Sequence, residues 1–487
     1  MTHCSSTASL VSTLALTLCL GACAVGPNFV PPNAVKQGDY VRGQLPDATV
    51  ATDVPGGAAQ RFAKGADVAS QWWTVFHSAP LNALVEQALK ANPTIPAAEA
   101  ALRVAQETMY AQQGAFFPTV TAGLSPTRQK IAQTLASPAL SGATLYSLHT
   151  AQLNISYAID VFGGNQRQIE ALAAQADFQL FQLEAARTTL STNVVGAAVQ
   201  IALLNDQISA TEASIRTASE QLPILRKQLA LGAIPEANVI AQEALDAQAR
   251  ALLPPLQKMR SQQLDLLAAL TGRFPSELPD INLHLDDLQL PQDLPVSLPS
   301  KLVEQRPDIR AAEEQLHAAS AQIGVATAAL LPQLTLTAGV GSAALRVADL
   351  FTSGTGFWNL AGGIAQPIFD GGTLRHKKRA AEAAYEQASQ QYRATVLAAF
   401  QNVADTLHAI RADAEIFATA TASERATLST LKIARRQVEL GDTSYLSLLN
   451  AEQAYQQTRI AMIQAKANRF MDSAALYQAL GGGWWNR

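Results

Sequence analysis

The chain has 487 residues, of which 15% are charged and 48% hydrophobic, with a formal net charge of −4. Length alone allows three domains and the hydrophobic fraction is that of an ordinary folded protein, while the slight acidity excludes a general affinity for nucleic-acid phosphates. The short basic run His376-Lys377-Lys378-Arg379 reads as a solvated helix start.

Residues 1–22 read as a signal peptide, because the apolar run Leu10 to Leu20 is too short to span a bilayer and ends in small residues. No Lys or Arg precedes it, a departure from the usual pattern. Leu20-Gly21-Ala22-Cys23 resembles the lipobox of bacterial lipoproteins, in which the Cys thiolate takes a diacylglycerol and then becomes the N-acylated terminus, with palmitate as a typical chain. The other two cysteines, Cys4 and Cys19, fall in the removed segment, so the exported chain keeps one Cys and has no internal disulfide. Two lipid signals on one residue anchor firmly. Nothing after Cys23 offers ~18 consecutive apolar residues, so any membrane span must be a closed barrel.

From 23 to 80 the chain is Pro- and Gly-rich and reads as an extended arm, with Gln71-Trp72-Trp73 and Phe76 as its packing anchor. Helical pattern begins near Leu81, is interrupted by Pro93 and Pro96, and runs to Gly114 before Pro118 ends it. Period-two alternation follows over about 119–128 and 146–159, with Val120, Ala122, Leu124, Leu153, Ile155 and Tyr157 on one face and Thr, Ser, Gly, Asn and Gln on the other. Two long helices then run from Asn165 to Ala230 and from Pro235 to Leu270, turning at Leu231-Gly232-Ala233-Ile234. A Pro-punctuated linker covers 273–299, with Asp286-Asp287 exposed on it.

Residues 300–482 repeat the plan of residues 81–272. Asn92 to Leu102 (NPTIPAAEAAL) returns as Arg306 to Leu316 (RPDIRAAEEQL), and Phe117-Pro118 returns at the same offset as Leu331-Pro332. Strands are expected over about 333–343 and 356–367, then helices from Thr373 to Leu440 and on to Leu480 with a turn at Leu440-Gly441-Asp442-Thr443; 483–487 remain as a tail. Each long helix would reach about 100 Å at ~1.5 Å per residue. Tyr385, Ala388, Tyr392, Val396, Ala399, Val403, Leu407 and Ile410 fall at steps of three and four, the spacing of a coiled-coil seam. A duplication of this length uses one structural unit twice.

The chemistry of an enzyme is not visible. The seven His are dispersed, and no GxSxG, HExxH or P-loop occurs. Gly339 to Ala344 fits the loose GxGxxA dinucleotide pattern but lacks the βαβ surroundings, and its strand alternates where a buried parallel strand would not. No metal, cofactor or catalytic residue is expected.

Four strands with one apolar and one small polar face suit lipid outside and water inside, yet a closed barrel needs about 8 strands. Three copies supply ~12, with the long helices continuing as a helical tube. Here the residues resemble a family: the outer-membrane factors of tripartite efflux pumps, of the TolC class and its NodT/OprM lipoprotein branch. The matching stretches are CAVGPNFVPP (Cys23 to Pro32), the repeated RPDIRAAE, QPIFDGG (Gln366 to Gly372), LGDTSYLSLLNAE (Leu440 to Glu452) and ALGGGWW (Ala479 to Trp485). The resemblance implies a mainly α, internally duplicated TolC-like fold: a homotrimer with a 12-stranded outer-membrane barrel and a long periplasmic α-helical barrel. It also implies a lipid on Cys23 and docking on a periplasmic adaptor and an inner-membrane transporter of the RND type. Drugs, toxic compounds or metals would pass through it passively, as in multidrug resistance. The adaptor contact falls on the tips Leu231, Gly232, Ala233, Ile234, Leu440, Gly441, Asp442 and Thr443. The family's periplasmic gate falls on Leu446, Ser447, Asn450 and Gln453, where this chain lacks the acidic residues common at Ser447 and Asn450 and the Arg often found at Gln453. A type I secretion channel for polypeptides shares the fold; the lipobox and the GGGW ending argue against it.

Overall fold

The computed structural model describes residues 24–33, 38–135 and 144–486; the signal peptide and the lipidation candidate Cys23 lie outside them. Along them run β1 (Arg61–Lys64), α1 (Ala79–Ala91), α2 (Thr94–Gln113), β2 (Thr119–Lys130), β3 (Leu145–Ile159), α3 (Gly164–Ala230), α4 (Glu236–Leu270), β4 (Asp293–Val296), α5 (Pro299–Gln305), α6 (Pro307–Ala328), β5 (Gln333–Ala344), β6 (Gly356–Ala365), α7 (Thr373–Leu440) and α8 (Tyr445–Ala479). The fold is mainly α and the duplication is visible element by element: helix pair, strand pair, long hairpin, twice. Two compact units result, one from residues 24–32, Ala101–Gln179 and Ala312–Tyr392, the other from Asn33–Ala100, Leu180–Ala311 and 393–486.

The first unit carries an antiparallel sheet in the order β2-β3-β5-β6. Its register aligns Val120, Ile155, Ala338 and Leu360 in one cross-strand row and Ala122, Leu153, Val340 and Trp358 in the next. These apolar side chains are not buried: Leu360 is 73% exposed and Trp358 78%. The other face aligns Thr121, Asn154, Gly339 and Asn359. A Cβ at Gly339 would sit 2.4 Å from Asn359 Oδ1, so the small residue makes room for the amide. Among the described residues, β2 and β6 each have one edge without a strand partner. β6 stops at Ala365, two residues short of expectation, because Pro367 has no N–H for the ladder.

Strand-to-helix junctions are capped in both repeats. Asp160 Oδ2 accepts the Gln166 N–H at 2.9 Å, and Asp370 accepts Gly372 N–H (2.9 Å) and Leu374 N–H (2.8 Å). The hydrogen bond from Leu374, joined by that from Gly372, holds the Asp370 carboxyl below its usual range.

In the second unit the arm and the linker are not free. β1 and β4, four residues each, pair in parallel with Arg61 opposite Asp293, a strand pair absent from the sequence reading because four residues are too few to establish a period. The anchor behaves as expected: Trp72 stacks on Tyr477 (5.4 Å between centroids), and Phe76, fully buried, lies 6.2 Å from Phe470. Pro96 does not interrupt a helix but sits in the first turn of α2, where its missing N–H has no intrahelical partner to lose. Asn92 starts that helix by accepting the Thr94 N–H at 2.9 Å and donating to Leu270 O at 2.9 Å.

The expected C-terminal tail is also packed. Gly481, Gly482 and Gly483 all have positive φ, and a Cβ on Gly483 would meet Ala69 O at 2.4 Å, so only glycine fits there. Trp484 Nε1 donates to Gln305 O (2.7 Å) and Trp485 Nε1 to Asp67 Oδ1 (3.0 Å).

One charged group in this unit sets a pH dependence. Burial pushes the Asp472 carboxyl up to about 7, and the charge of Asp413, with its hydrogen bond, adds to the rise. The folded chain therefore holds a proton that the unfolded chain has released between about pH 4 and 7, and the stability present below that window is lost as pH rises through it. Asp472→Asn should melt above wild type at about pH 8 and draw level near pH 4. A gap that does not grow with pH in thermal melts would refute the shared proton.

Candidate channel tips and constriction

Both long hairpins turn by the same device. At the first, Gly232 (φ 69°) lets Ala233 N–H reach Gln228 O at 2.9 Å and Gly232 N–H reach Leu229 O at 2.9 Å. At the second, Gly441 (φ 76°) lets Asp442 N–H reach Gln437 O at 2.9 Å and Gly441 N–H reach Val438 O at 3.1 Å. This is the Schellman arrangement in both repeats, which satisfies the last helical carbonyls with backbone alone. It leaves the tip side chains outward: Leu231, Gly232, Ala233, Leu440, Gly441 and Asp442 are exposed, Ile234 and Thr443 half-buried.

The repeats then diverge. Pro235 precedes α4 with no side-chain cap, whereas Ser444 caps α8 by accepting the Ser447 N–H at 3.3 Å. Leu446, Ser447, Asn450 and Gln453, at three- and four-residue steps, are all exposed. Leu448, Leu449 and Ala451 between them are buried, Leu448 and Ala451 against Leu431 and Ala434 of α7. The sequence-derived constriction residues therefore share the face that α8 does not use for its own packing. Ser447 is partly committed elsewhere, since its Oγ lies 3.0 Å from Ser444 Oγ.

Tyr445, which the sequence reading did not single out, ties the two hairpins together. Its hydroxyl is 2.8 Å from Gln242 Oε1 and 3.1 Å from Gln221 Oε1. Gln242 is fully buried and donates to Ala218 O at 2.8 Å, while Gln221 donates to Glu452 Oε1 at 3.0 Å. Burial pushes the Tyr445 phenol well above its usual range, with the charge of Glu452 adding to it, so it acts as a neutral hydrogen-bond donor. A Gln inside a helix at an otherwise apolar position is the one signal that could have pointed to it.

Among the described residues no group of three or more His, Cys, Asp or Glu is placed to hold a metal, and no helix is long and apolar enough to cross a membrane. What remains is a sheet with a polar and an outward apolar face, and two hairpins with outward tips.

A family model described as outer membrane efflux protein matches residues 84–273 and 298–482. The pyoverdine export outer membrane protein OpmQ of Pseudomonas putida is 30% identical over 425 residues, covering 85% of this chain and 88% of that protein. The probable efflux pump outer membrane protein TtgC of Pseudomonas putida is 29% identical over 499 residues, 99% of this chain and 97% of the relative. Among solved structures, the outer-membrane channel OprN superposes with a TM-score of 0.84 at 27% identity, over 95% of this chain and all (100%) of that one. The open state of the MtrE outer membrane channel of Neisseria gonorrhoeae gives 0.81 at 26%, over 95% and 99%.

Proposed function

The chain belongs to the outer membrane efflux protein family, and from that premise we propose that three copies of it close one conduit, anchored by a lipid on Cys23 and docked through their hairpin tips on a periplasmic adaptor and an RND-type transporter. Its function is that of the outer-membrane channel of a tripartite efflux system, a passive path that the transporter energises. The observation that carries the trimer is the open four-stranded sheet: among the described residues its edges β2 and β6 lack partners and its apolar rows lack a packing surface. In lipid, every strand N–H and C=O must be paired within protein, and other copies of the same sheet supply both the pairing and the closure. The exposed leucines Leu231 (76%) and Leu440 (59%) support the tips as the adaptor contact.

The cargo is a set of small molecules; pyoverdine export is named for one relative and efflux pumping for another. Fractionation should find the chain in the outer membrane as a cross-linkable trimer, and its deletion should raise susceptibility to some compounds in a panel. A soluble monomer would overturn the reading.

The constriction is neutral in this reading. Ser447, Asn450 and Gln453 would form uncharged rings above Leu446, where a negative ring would attract cations. Asn450→Asp, adding three charges per trimer, should raise cation selectivity in planar-bilayer recordings. Equal selectivity in the two proteins would remove these residues from the conduction path.

A further inference from the structure

The sheet of the first unit carries its charge in one place. Strands β2, β3, β5 and β6 contain no Asp or Glu, and Arg128 and Lys130 are their only Arg or Lys. Both are exposed, and both lie on the face of the apolar rows, with Arg128 opposite Ser147 and Lys130 opposite Leu145. They stand at the end of the sheet away from α2 and α3, where β2 stops and β3 begins. His149, opposite Pro126 and Ala344, shares that face and lies between these cations and the row of Leu124 and Ala151.

The connection from β5 to β6, residues 345–355, folds back over this same face. Ser342, in the row of Leu124 and Ala151, accepts the Phe351 N–H at 3.2 Å and donates to Thr355 Oγ1 at 2.7 Å. Beneath the connection is a cavity of about 730 Å³ walled by Leu124, Leu153, Val340 and Phe351. Phe351 holds φ at 71°, a conformation costly for a side chain of its size. Its ring is nevertheless 78% exposed, so the fold sets an aromatic over the cavity and leaves it uncovered. Arg346, in the same connection, pairs with Asp349 at 2.8 Å and adds no net charge.

We propose that this cavity and the two cations beyond it form a site for one phosphorylated acyl lipid of the outer leaflet, with a chain under Phe351 and the phosphate on Arg128 and Lys130. Leu124 and Arg128 are four residues apart, ~14 Å at ~3.4 Å per residue, so chain and phosphate are placed along the strand as they lie across a leaflet. An acyl chain alone would match the apolar face anywhere; cations on a sheet without one acid fix where an anionic headgroup sits. The site rests on the barrel reading above, since only there does this face meet lipid.

Native mass spectrometry of the full-length protein, moved from the outer membrane into nanodiscs, tests it with three probes: lipid A, lipid A stripped of its phosphates, and phosphatidylethanolamine. Wild type should retain lipid A above the other two. The double variant Arg128→Gln, Lys130→Gln should lower that retention by about tenfold or more and leave the dephosphorylated form unchanged. Ala151→Phe, which fills the cavity from the outward row and keeps the face apolar, should lower the retention of both. Lys432→Gln, an exposed cation of α7 in the second unit, is the control and should change neither. Lipid A held by the double variant as firmly as by wild type would overturn the site, even if Ala151→Phe failed to assemble. Outer-membrane fractionation separates the two readings: a chain that never inserts overturns the barrel and this site with it, whereas an inserted trimer that retains all three lipids equally overturns the site alone.

Discussion

Leu360→Arg will prevent assembly in the outer membrane, whereas arginine one residue earlier, at Asn359, will be tolerated. Leu360 lies on the apolar row with Val120, Ile155 and Ala338, and Asn359 on the polar row with Thr121, Asn154 and Gly339. An arginine facing lipid near the bilayer midplane costs about 2–4 kcal/mol per copy in a barrel and much less toward the rims. In the proposed trimer, three copies repeat that cost in one closed object. An arginine at Asn359 instead enters the water-filled side, beside the space that Gly339 leaves. Outer-membrane fractionation with detection of the trimer decides between them, and equal insertion of the two variants would mean that the apolar rows do not face lipid.

Arg469→Ala should be the most destabilising single change outside the sheet. Arg469 is 2% exposed and donates to Gly56 O at 2.6 Å and to Ala58 O at 2.8 Å, with its guanidinium 5.7 Å above the Phe417 ring. Burial lowers its pKa to about 10, against the opposing pull of the Asp413 charge, so the cation is held at real cost and only because its partners are there. Removing it leaves two arm carbonyls without these donors and a carboxylate without its counter-charge, a loss of about 3–5 kcal/mol for a broken buried charge arrangement. Arg61→Ala makes the contrast. The Arg61–Asp293 pair at 2.6 Å is mostly exposed (69% and 59%), and such pairs contribute about 0–1 kcal/mol. Chemical denaturation should separate the two variants clearly, and Arg469→Ala should also expose the arm between Thr49 and Lys64 to protease. Matching midpoints would refute the role of Arg469 as a staple.

Periodic features were legible in the sequence and single contacts were not. The strands declared themselves because alternation ran for ten or so residues between Pro118 or Pro332 and a glycine-rich exit, and all four form one sheet. The coiled-coil seam was equally plain: Val403, Leu407 and Ile410, picked by spacing, are at most 1% exposed, while Tyr385 and Tyr392 at its start are half-buried. The tips were found from Gly232 and Gly441, whose positive φ only a turn explains. By contrast, Tyr445 meets Gln221 across 224 positions and Arg469 meets Gly56 across 413. A one-time meeting of distant residues leaves no period, so β1 with β4 and both arginine contacts with the arm needed coordinates. The residues after Cys23 could be quoted as a motif, but not explained, for the same reason.

The unpartnered edges of β2 and β6 also govern how the protein can be made. A single sheet placed in hydrocarbon would expose two rows of unsatisfied backbone groups, and a pair of sheets would still expose two. For the proposed trimer, incomplete assemblies therefore gain nothing by entering the membrane early, and insertion waits for the last copy. Biogenesis becomes steeply dependent on the local supply of chains, and until that supply suffices the waiting edges are templates for aggregation that the cell must shield. A lipid on Cys23, as proposed above, would gather the copies where they are needed, turning a three-body search through the periplasm into one across a plane.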